Sequence, residues 1–343
     1  MANKSLAILY RPRVFEDMVE QDNIKLILEN QLNTGTIKQS YLFCGGAGTG
    51  KTTSARIFAN EINRGKGNPI ELDAASHNSV EDMRNLIQQA SIKSLDSEYK
   101  VFIIDEAHSI SSAGWQAMLK TLEEPPAKAV FIFCTTDPQK IPKTILSRVQ
   151  RYDFHRISQK GIVDRLRFVL EEEKKISKTG IIDYSEEALE YLAKIADGGM
   201  RDAITLMDKC LAFDTHLTTE NISKALGTVN YETMFALNEA IFNKDISNII
   251  HIIEEIHNSG KDLKQFVKSY MLFILDVCKY DCTREFTYLQ IPGTYKTNLD
   301  KYTDKEFEGC LNLLDCIVKL NSEIKWETSP KVVIESTLIL FIT

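Results

Sequence analysis

The stretch Gly45-Gly46-Ala47-Gly48-Thr49-Gly50-Lys51-Thr52 decides how this chain is read. It fits the phosphate-loop pattern G-x-x-x-x-G-K-[ST]. The apolar run Tyr41-Leu42-Phe43-Cys44 precedes it and the helical pattern Thr53-Ser54-Ala55-Arg56-Ile57-Phe58-Ala59 follows. Strand, loop and helix in that order are the context the motif requires. Glycines let successive N–H groups curl around phosphate oxygens, and the positive end of the next helix adds to the attraction. Lys51 can reach the β and γ phosphates, and the Thr52 hydroxyl can ligate Mg²⁺.

The alternation expected of a parallel sheet with crossover helices extends over the first ~155 residues. A helix is expected over 22–33 and strands over Tyr41–Cys44 and 69–73. A helix follows over 79–90, then the apolar strand Val101-Phe102-Ile103-Ile104. A helix over 112–123 stops at Pro125-Pro126, and Val130-Phe131-Ile132-Phe133-Cys134 is a second buried strand. From Ser158 strands nearly vanish. Helices are expected at about 159–175, 185–196, 201–213 and 219–226, with Gly198-Gly199 as a break. Long apolar periodic segments occupy 231–257, 262–279 and 304–325, and Thr328-Ser329-Pro330 opens a last helix over 331–342. Segment 281–303 reads as a long polar loop. The expected fold is an α/β nucleotide-binding domain over 1–157, a helical lid over 158–224 and an all-α domain over 225–343.

Composition sets the outer bounds. The chain has 343 residues, 43% of them hydrophobic, and a net charge of −7. No apolar run approaches the ~20 residues that span a bilayer. Met1-Ala2-Asn3-Lys4-Ser5 has no signal-peptide layout, which places the chain in the cytoplasm. The seven cysteines include no C-x-x-C pair, and Cys44 and Cys134 belong to the core strands. An acidic balance excludes a wholly basic surface but leaves room for a local basic stripe.

Two acidic residues, Asp105-Glu106, close an apolar strand about 55 residues after the phosphate loop. Asp105 would hold Mg²⁺ with Thr52, and Glu106 would orient and activate the attacking water. Thr135-Thr136 ends the following strand, where a hydroxyl can touch the γ-phosphate or its water. Arg148 and Arg201 are candidate cations for the same phosphate, one lent to a neighbouring subunit, the other closing from the lid.

The chain resembles the gamma/tau subunit family of bacterial DNA polymerase III, the ATPases of the sliding-clamp loader. The resemblance rests on Tyr10-Arg11-Pro12, Phe15-Glu16-Asp17, the phosphate loop and Glu71-Leu72-Asp73-Ala74-Ala75-Ser76. It continues through Ile104-Asp105-Glu106-Ala107-His108, Leu119–Pro126, Thr135–Pro142, Thr144–Arg148 and Gly199–Ala203. It is dense over 6–210 and thins in the C-terminal third. It implies an AAA+ module with helical lid and collar, the collar serving oligomerisation, and ATP and Mg²⁺ as cofactors. The nucleotide would be held by Gly45, Gly46, Ala47, Gly48, Thr49, Gly50, Lys51, Thr52 and Thr53, with Tyr10, Arg11, Pro12 and Val19 around adenine and ribose. Thr135 or Thr136 would be the first sensor, Arg201 the second, and Arg148 the finger entering the neighbour's site.

Duplex phosphates would be tracked by Asn78, Ser79, Arg84, Lys120, Lys140 and Thr144. The implied partners are delta-like and delta-prime-like subunits, further copies of the chain in a pentamer, the sliding clamp and primer–template DNA, with no membrane. The implied location is cytoplasmic and nucleoid-associated. Asn63-Arg64-Gly65-Lys66-Gly67-Asn68 spans the interval where the family usually carries a four-cysteine zinc module, so no zinc is expected. Glu20 stands where the family often has glycine, and Val149 where cysteine is common. The resemblance implies a short form that ends with the collar and lacks the tau tail, as expected of a divergent bacterium or a phage. A non-hydrolysing stator and another AAA+ motor are the competing readings.

Overall fold

Period-two alternation along the strands builds one sheet with two apolar faces. The computed structural model describes residues 5–94, 96–176, 182–227, 229–286, 288–302 and 307–343. Its contacts divide the chain into two units, Met1–Glu173 with Ile195–Asp208, and Lys174–Lys194 with Lys209–Thr343. Helices of the 158–224 stretch fall in both.

The first unit opens with α1 (Leu6–Leu9) and α2 (Asp22–Thr34), followed by β1 (Ser40–Gly45), α3 (Lys51–Ile62) and β2 (Ile70–Asp73). Next come α4 (Val80–Ser91), β3 (Lys100–Asp105), α5 (Ser112–Glu123), β4 (Ala129–Thr135), α6 (Lys143–Leu146) and β5 (Gln150–Phe154). All five strands are parallel, in the order β2-β3-β4-β1-β5. Tyr41, Phe43, Ile103, Ile132 and Phe154 pack against Leu28 of α2 and Phe58 of α3. Leu42, Phe102, Ile104, Phe131 and Phe133 pack on the other side against Met83, Trp115, Met118 and Leu122 of α4 and α5. A parallel sheet buried on both faces requires apolar side chains at both parities, which is why its central strands read as unbroken apolar runs.

Parallel order also places every strand's carboxyl end on one edge of the sheet. There the register sets Cys44, just before the phosphate loop, beside Thr135, and Asp73 beside Asp105. Ligands of open α/β sheets bind at this edge. The strand β5 escapes a hydrophobicity reading because Arg151 and Asp153 alternate with Tyr152 and Phe154, leaving a polar outer row on an edge strand.

The α7 helix (Gln159–Ile176) begins in this unit, α8 (Glu186–Ile195) ends in it, and α9 (Met200–Phe213) opens in it after the Gly198-Gly199 break. The short strands β6 (Asp183–Tyr184) and β7 (His216–Leu217) of the second unit pair in parallel, and α10 (Thr219–Leu226) follows. The remainder is helical: α11 (Tyr231–Phe242), α12 (Ile246–Asn258), α13 (Leu263–Thr283), α14 (Lys296–Leu299), α15 (Phe307–Glu323) and α16 (Pro330–Ile342). Leu237, Ile253, Phe273, Ile274, Leu313, Ile317 and Leu338 form its core.

The apolar segment 231–257 is two helices, since Lys244 takes a left-handed φ of 55° between them. Asp276, 1% exposed in α13, accepts the backbone N–H groups of Gln290 and Ile291, so a polar loop is tied to the core. That loop holds α14, which its polar composition hides. Ser329 makes no side-chain cap on α16; Pro330 in the first turn starts that helix instead. The expected start of α15 at 304–306 lies outside the described residues. Among the described residues no helix is long and apolar enough to cross a membrane.

Candidate nucleotide-binding site

The loop after β1 curls because Gly45, Gly48 and Gly50 adopt positive φ values of 151°, 69° and 102°. A side chain at Gly45 would place its Cβ 2.5 Å from the carbonyl oxygen of Phe154. Lys51 opens α3 and is only 7% exposed. Its Nζ donates to the carbonyls of Gly45 (2.9 Å) and Gly46 (2.6 Å). Burial lowers the pKa of this ammonium, and nearby Glu106 and Asp105 oppose that shift. An ammonium has three N–H groups, so one remains for an anion.

Across the loop, the Thr52 hydroxyl donates to Asp105 Oδ2 at 2.8 Å, while Asp105 Oδ1 accepts the Glu106 N–H at 3.0 Å. These oxygens suit a hard cation, which prefers carboxylate and hydroxyl ligands. The residues present therefore fit a magnesium-bound triphosphate: a desolvated cation with a spare donor, and an adjoining pair of hard oxygen ligands. Glu106 holds φ at 47°, a conformation sparsely used by side-chain-bearing residues. Its Oε2 lies 3.2 Å from the Thr136 hydroxyl and 3.3 Å from His108 Nδ1. Thr135 is fully buried, contacts His108 Nδ1 at 3.2 Å and accepts the Asp137 N–H at 3.1 Å. The two threonines thus face different partners, and His108 is a member of the cluster that sequence reasoning passed over.

A cleft of about 130 Å³ joins the rest. Tyr10, Arg11, Pro12 and Val19 line it together with Gly48, Thr49, Gly50, Lys51, Thr52, Thr53 and Arg201. Met18, Ile157, Arg165, Met200 and Ile204 line it too and carry no motif that would reveal them. Tyr10 is fixed from two directions: its hydroxyl donates to Glu173 at 2.7 Å and its carbonyl accepts from Arg165 at 2.8 Å. Burial, then Glu173, raises the Tyr10 phenol. The start of α9 is fastened to the loop by the Met200 N–H, 3.0 Å from the Gly48 carbonyl.

After Val19, Glu20 and Gln21 both take left-handed φ values, 56° and 59°, which explains why glycine suits that position. Gln21 bonds the backbone of His155 through both amide atoms, and Glu20 accepts the Ser158 N–H. A larger cavity of about 1160 Å³ lies in the second unit, lined by Tyr191, Lys224, Tyr231 and Asp262 among others, and has no part of the phosphate loop in its wall.

Arg148 is not among the residues lining the cleft; it is held by Glu123, Thr144 and Ser147. The proposed DNA contacts are distributed over α4, α5 and the turn into α6. Asn78, Arg84, Lys120 and Thr144 are exposed, Ser79 caps α4, and Lys140 pairs with Asp137 at 3.3 Å.

This sheet, loop and helical lid define an AAA+ nucleotide-binding module. The chain is similar over 68% of its length to the Thermotoga maritima RuvB Holliday junction branch migration motor, with a TM-score of 0.52 at 19% identity, covering 79% of that chain. Residues 68–158 match the DNA polymerase III delta subunit model, and 161–215 match the model of the DNA polymerase III clamp loader subunit ATPase lid domain. The chain is 32% identical to DNA polymerase III subunit tau of Bacillus subtilis, over 99% of this chain and 63% of that protein. It is 35% identical to the Escherichia coli tau subunit, over 76% of this chain and 43% of that protein. It is 28% identical to DNA polymerase III subunit gamma of Buchnera aphidicola, over 98% of each. The chain thus spans 63% and 43% of these two tau subunits and nearly all of the short gamma form. Over nearly its whole length the chain is similar to gamma and tau subunits of DNA polymerase III.

Proposed function

We propose that the chain is an ATPase subunit that drives a sliding-clamp loader. One observation carries this reading: Lys51, Thr52, Asp105 and Glu106 meet at the carboxyl edge of the sheet, with Thr52 and Asp105 2.8 Å apart. In this reading residues 1–157 carry the nucleotide, 158–224 form the lid and 225–343 the collar. Magnesium held by Thr52 and Asp105 would supply charge neutralisation at the β and γ phosphates. Lys51 exchanges its bonds to the Gly45 and Gly46 carbonyls for phosphate oxygens. Glu106 orients water and accepts its proton. Thr136 is the favoured first sensor, because it alone of the two threonines touches the Glu106 carboxylate. Arg201 closes on the γ-phosphate from α9.

Arg148 lies away from its own cleft, which supports a role in a neighbour's site. An isolated chain should then be a poor ATPase. ATP binding would order a pentamer that opens the clamp and admits primed DNA, and hydrolysis would release the loaded clamp. Asn78, Ser79, Arg84, Lys120, Lys140 and Thr144 would follow duplex phosphates without reading bases.

The test is ATP turnover of the complex with and without primed DNA and clamp. Stimulation by the pair supports the reading; turnover indifferent to both would sink it. The native mass separates a pentameric loader from a hexameric motor.

A further inference from the structure

Arg148 is gripped along both edges of its guanidinium. Its Nε donates to Glu123 Oε1 at 3.0 Å, and its Nη2 donates to the same oxygen. Its Nη1 donates to the Thr144 carbonyl at 2.5 Å and to the Ser147 hydroxyl at 3.1 Å. A guanidinium has five N–H groups, so these bonds leave one, on Nη2. The two ends of this clasp are rigidly spaced: Leu122 of α5 and Ile145 of α6 share one buried cluster, and the Arg148 N–H donates to the Ile145 carbonyl at 2.9 Å. Glu123 is the last residue of α5, where Pro125-Pro126 ends the helix.

We propose that Glu123 is the positioning residue for Arg148, fixing the guanidinium so that its remaining Nη2 N–H is presented to the phosphate of a neighbouring subunit. The proposal rests on the reading of Arg148 as a finger. An arginine has several rotatable bonds and loses that freedom whenever it meets a phosphate. A carboxylate gripping the Nε edge removes most of the freedom in advance, which is preorganisation. The Glu123 side chain is 51% exposed, so its pair with Arg148 adds little to folding stability. Its loss should therefore be silent in stability and visible in turnover.

The test compares Glu123→Ala, Glu123→Gln, Arg148→Ala and the double variant in the complex with partner subunits, clamp and primed DNA. Glu123→Ala should lower kcat about two- to fivefold, the span to which exposed ion-pair energies convert, at an unchanged KM for ATP. Glu123→Gln keeps an acceptor and should restore most of the loss. The double variant should match Arg148→Ala. In the isolated chain without nucleotide, the ¹⁵Nε–H signal of Arg148, assigned by Arg148→Lys, should exchange slowly, be lost in Glu123→Ala and persist in Glu123→Gln. Wild-type or faster turnover in Glu123→Ala beside an impaired Arg148→Ala overturns the Glu123 role and leaves the finger standing. Additive loss in the double variant overturns it too. Unchanged turnover in Arg148→Ala removes the finger itself.

Discussion

Gly46 and Gly48 are two residues apart in one loop, yet alanine should affect them very differently. At Gly48 φ is 69°, and an added Cβ would lie 3.0 Å from Gly199 Cα, 3.2 Å from its carbonyl carbon and 3.3 Å from the Arg201 nitrogen. All three are backbone atoms, so no flexible side chain can yield. The left-handed conformation costs a residue with Cβ about 1–2 kcal/mol. The contact adds about 1–3 kcal/mol, the usual range for overpacking. Gly48→Ala should therefore destabilise the nucleotide-free chain by about 2–5 kcal/mol. At Gly46 φ is not positive, and the added Cβ would find only Thr49 Cγ2 at 3.7 Å, an ordinary contact. Gly46→Ala should stay within about 0.5 kcal/mol, as neutral substitutions do.

The chain offers its own probe for this comparison. It has two tryptophans. Trp115 is 3% exposed in the core of the first unit, and Trp326 in the second is 88% exposed. In a Trp326→Phe background, urea unfolding followed by fluorescence reports the first unit alone. Reporting one unit matters because a chain of two units need not unfold in one step. A shift in midpoint at constant slope is the expected signature. Gly48→Ala unfolding with the parent, or Gly46→Ala falling as far, would refute the reasoning. Because Met200 bonds the Gly48 carbonyl, Gly48→Ala should also displace the start of α9 and weaken nucleotide binding about tenfold or more, in line with roughly 1.4 kcal/mol per decade.

Burial lowers the folded-state pKa of Lys51 below its ordinary 10.5, so between that lowered value and 10.5 the unfolded chain binds more protons and stability rises with pH. Lys51→Met should abolish that alkaline rise in denaturation midpoint, stabilise the empty chain at neutral pH, and lose nucleotide binding in calorimetry. Asp276→Ala should leave the Gln290 and Ile291 N–H groups without their buried acceptor and destabilise the second unit by about 2–5 kcal/mol, measured by urea unfolding followed by far-ultraviolet circular dichroism. Burial raises the Asp276 carboxyl, so its contribution to stability is largest below 3.8 and shrinks as pH climbs through the raised value; the variant should lose that dependence. Thr135→Val should lower stability by about 1–3 kcal/mol through its lost bonds to His108 and Asp137, whereas Thr136→Val should leave stability unchanged and reduce turnover of the complex. The opposite pattern would return the sensor role to Thr135.

Much of the first unit was legible because its physics is local. The run Val101–Ile104 must be a doubly covered strand, and Gly45–Thr52 must turn and start a helix, whatever surrounds them. The adjacency of Thr52 and Asp105 follows once the sheet is parallel. The left-handed Glu106 and the bond from Thr136 to it could not be read, because they arise from how two strand ends settle side by side. Glu123 carries no signature of its own in the sequence, and its contact with Arg148 depends on α6 returning to the end of α5. Arg165 and Met18 enter the cleft through tertiary packing and leave no periodic trace. In the second unit, apolar spacing identified the helices but not the hinge at Lys244, since a left-handed lysine has no compositional signature. Asp276 reads as one more helical acid until the loop it anchors is seen.

The segment Asn63–Asn68 has a consequence for how such chains acquire and shed modules. It joins the end of α3 to the amino end of β2, at the edge of the sheet opposite Lys51 and Asp105. Asn63 pins its root by bonding both the carbonyl and the N–H of Tyr99, just before β3. At Gly65 the chain faces open space, where an added Cβ would meet nothing within 4 Å, before it packs back against Ser97 at Gly67. Doubling a flexible loop costs only about 0.6 kcal/mol of closure entropy. The place should therefore act as a socket, accepting an insert at Gly65 while the chemistry on the far edge stays in register. A short epitope inserted after Gly65 should leave nucleotide affinity within about twofold of the parent, a change of roughly 0.4 kcal/mol, whereas a larger loss would mean that the two edges communicate.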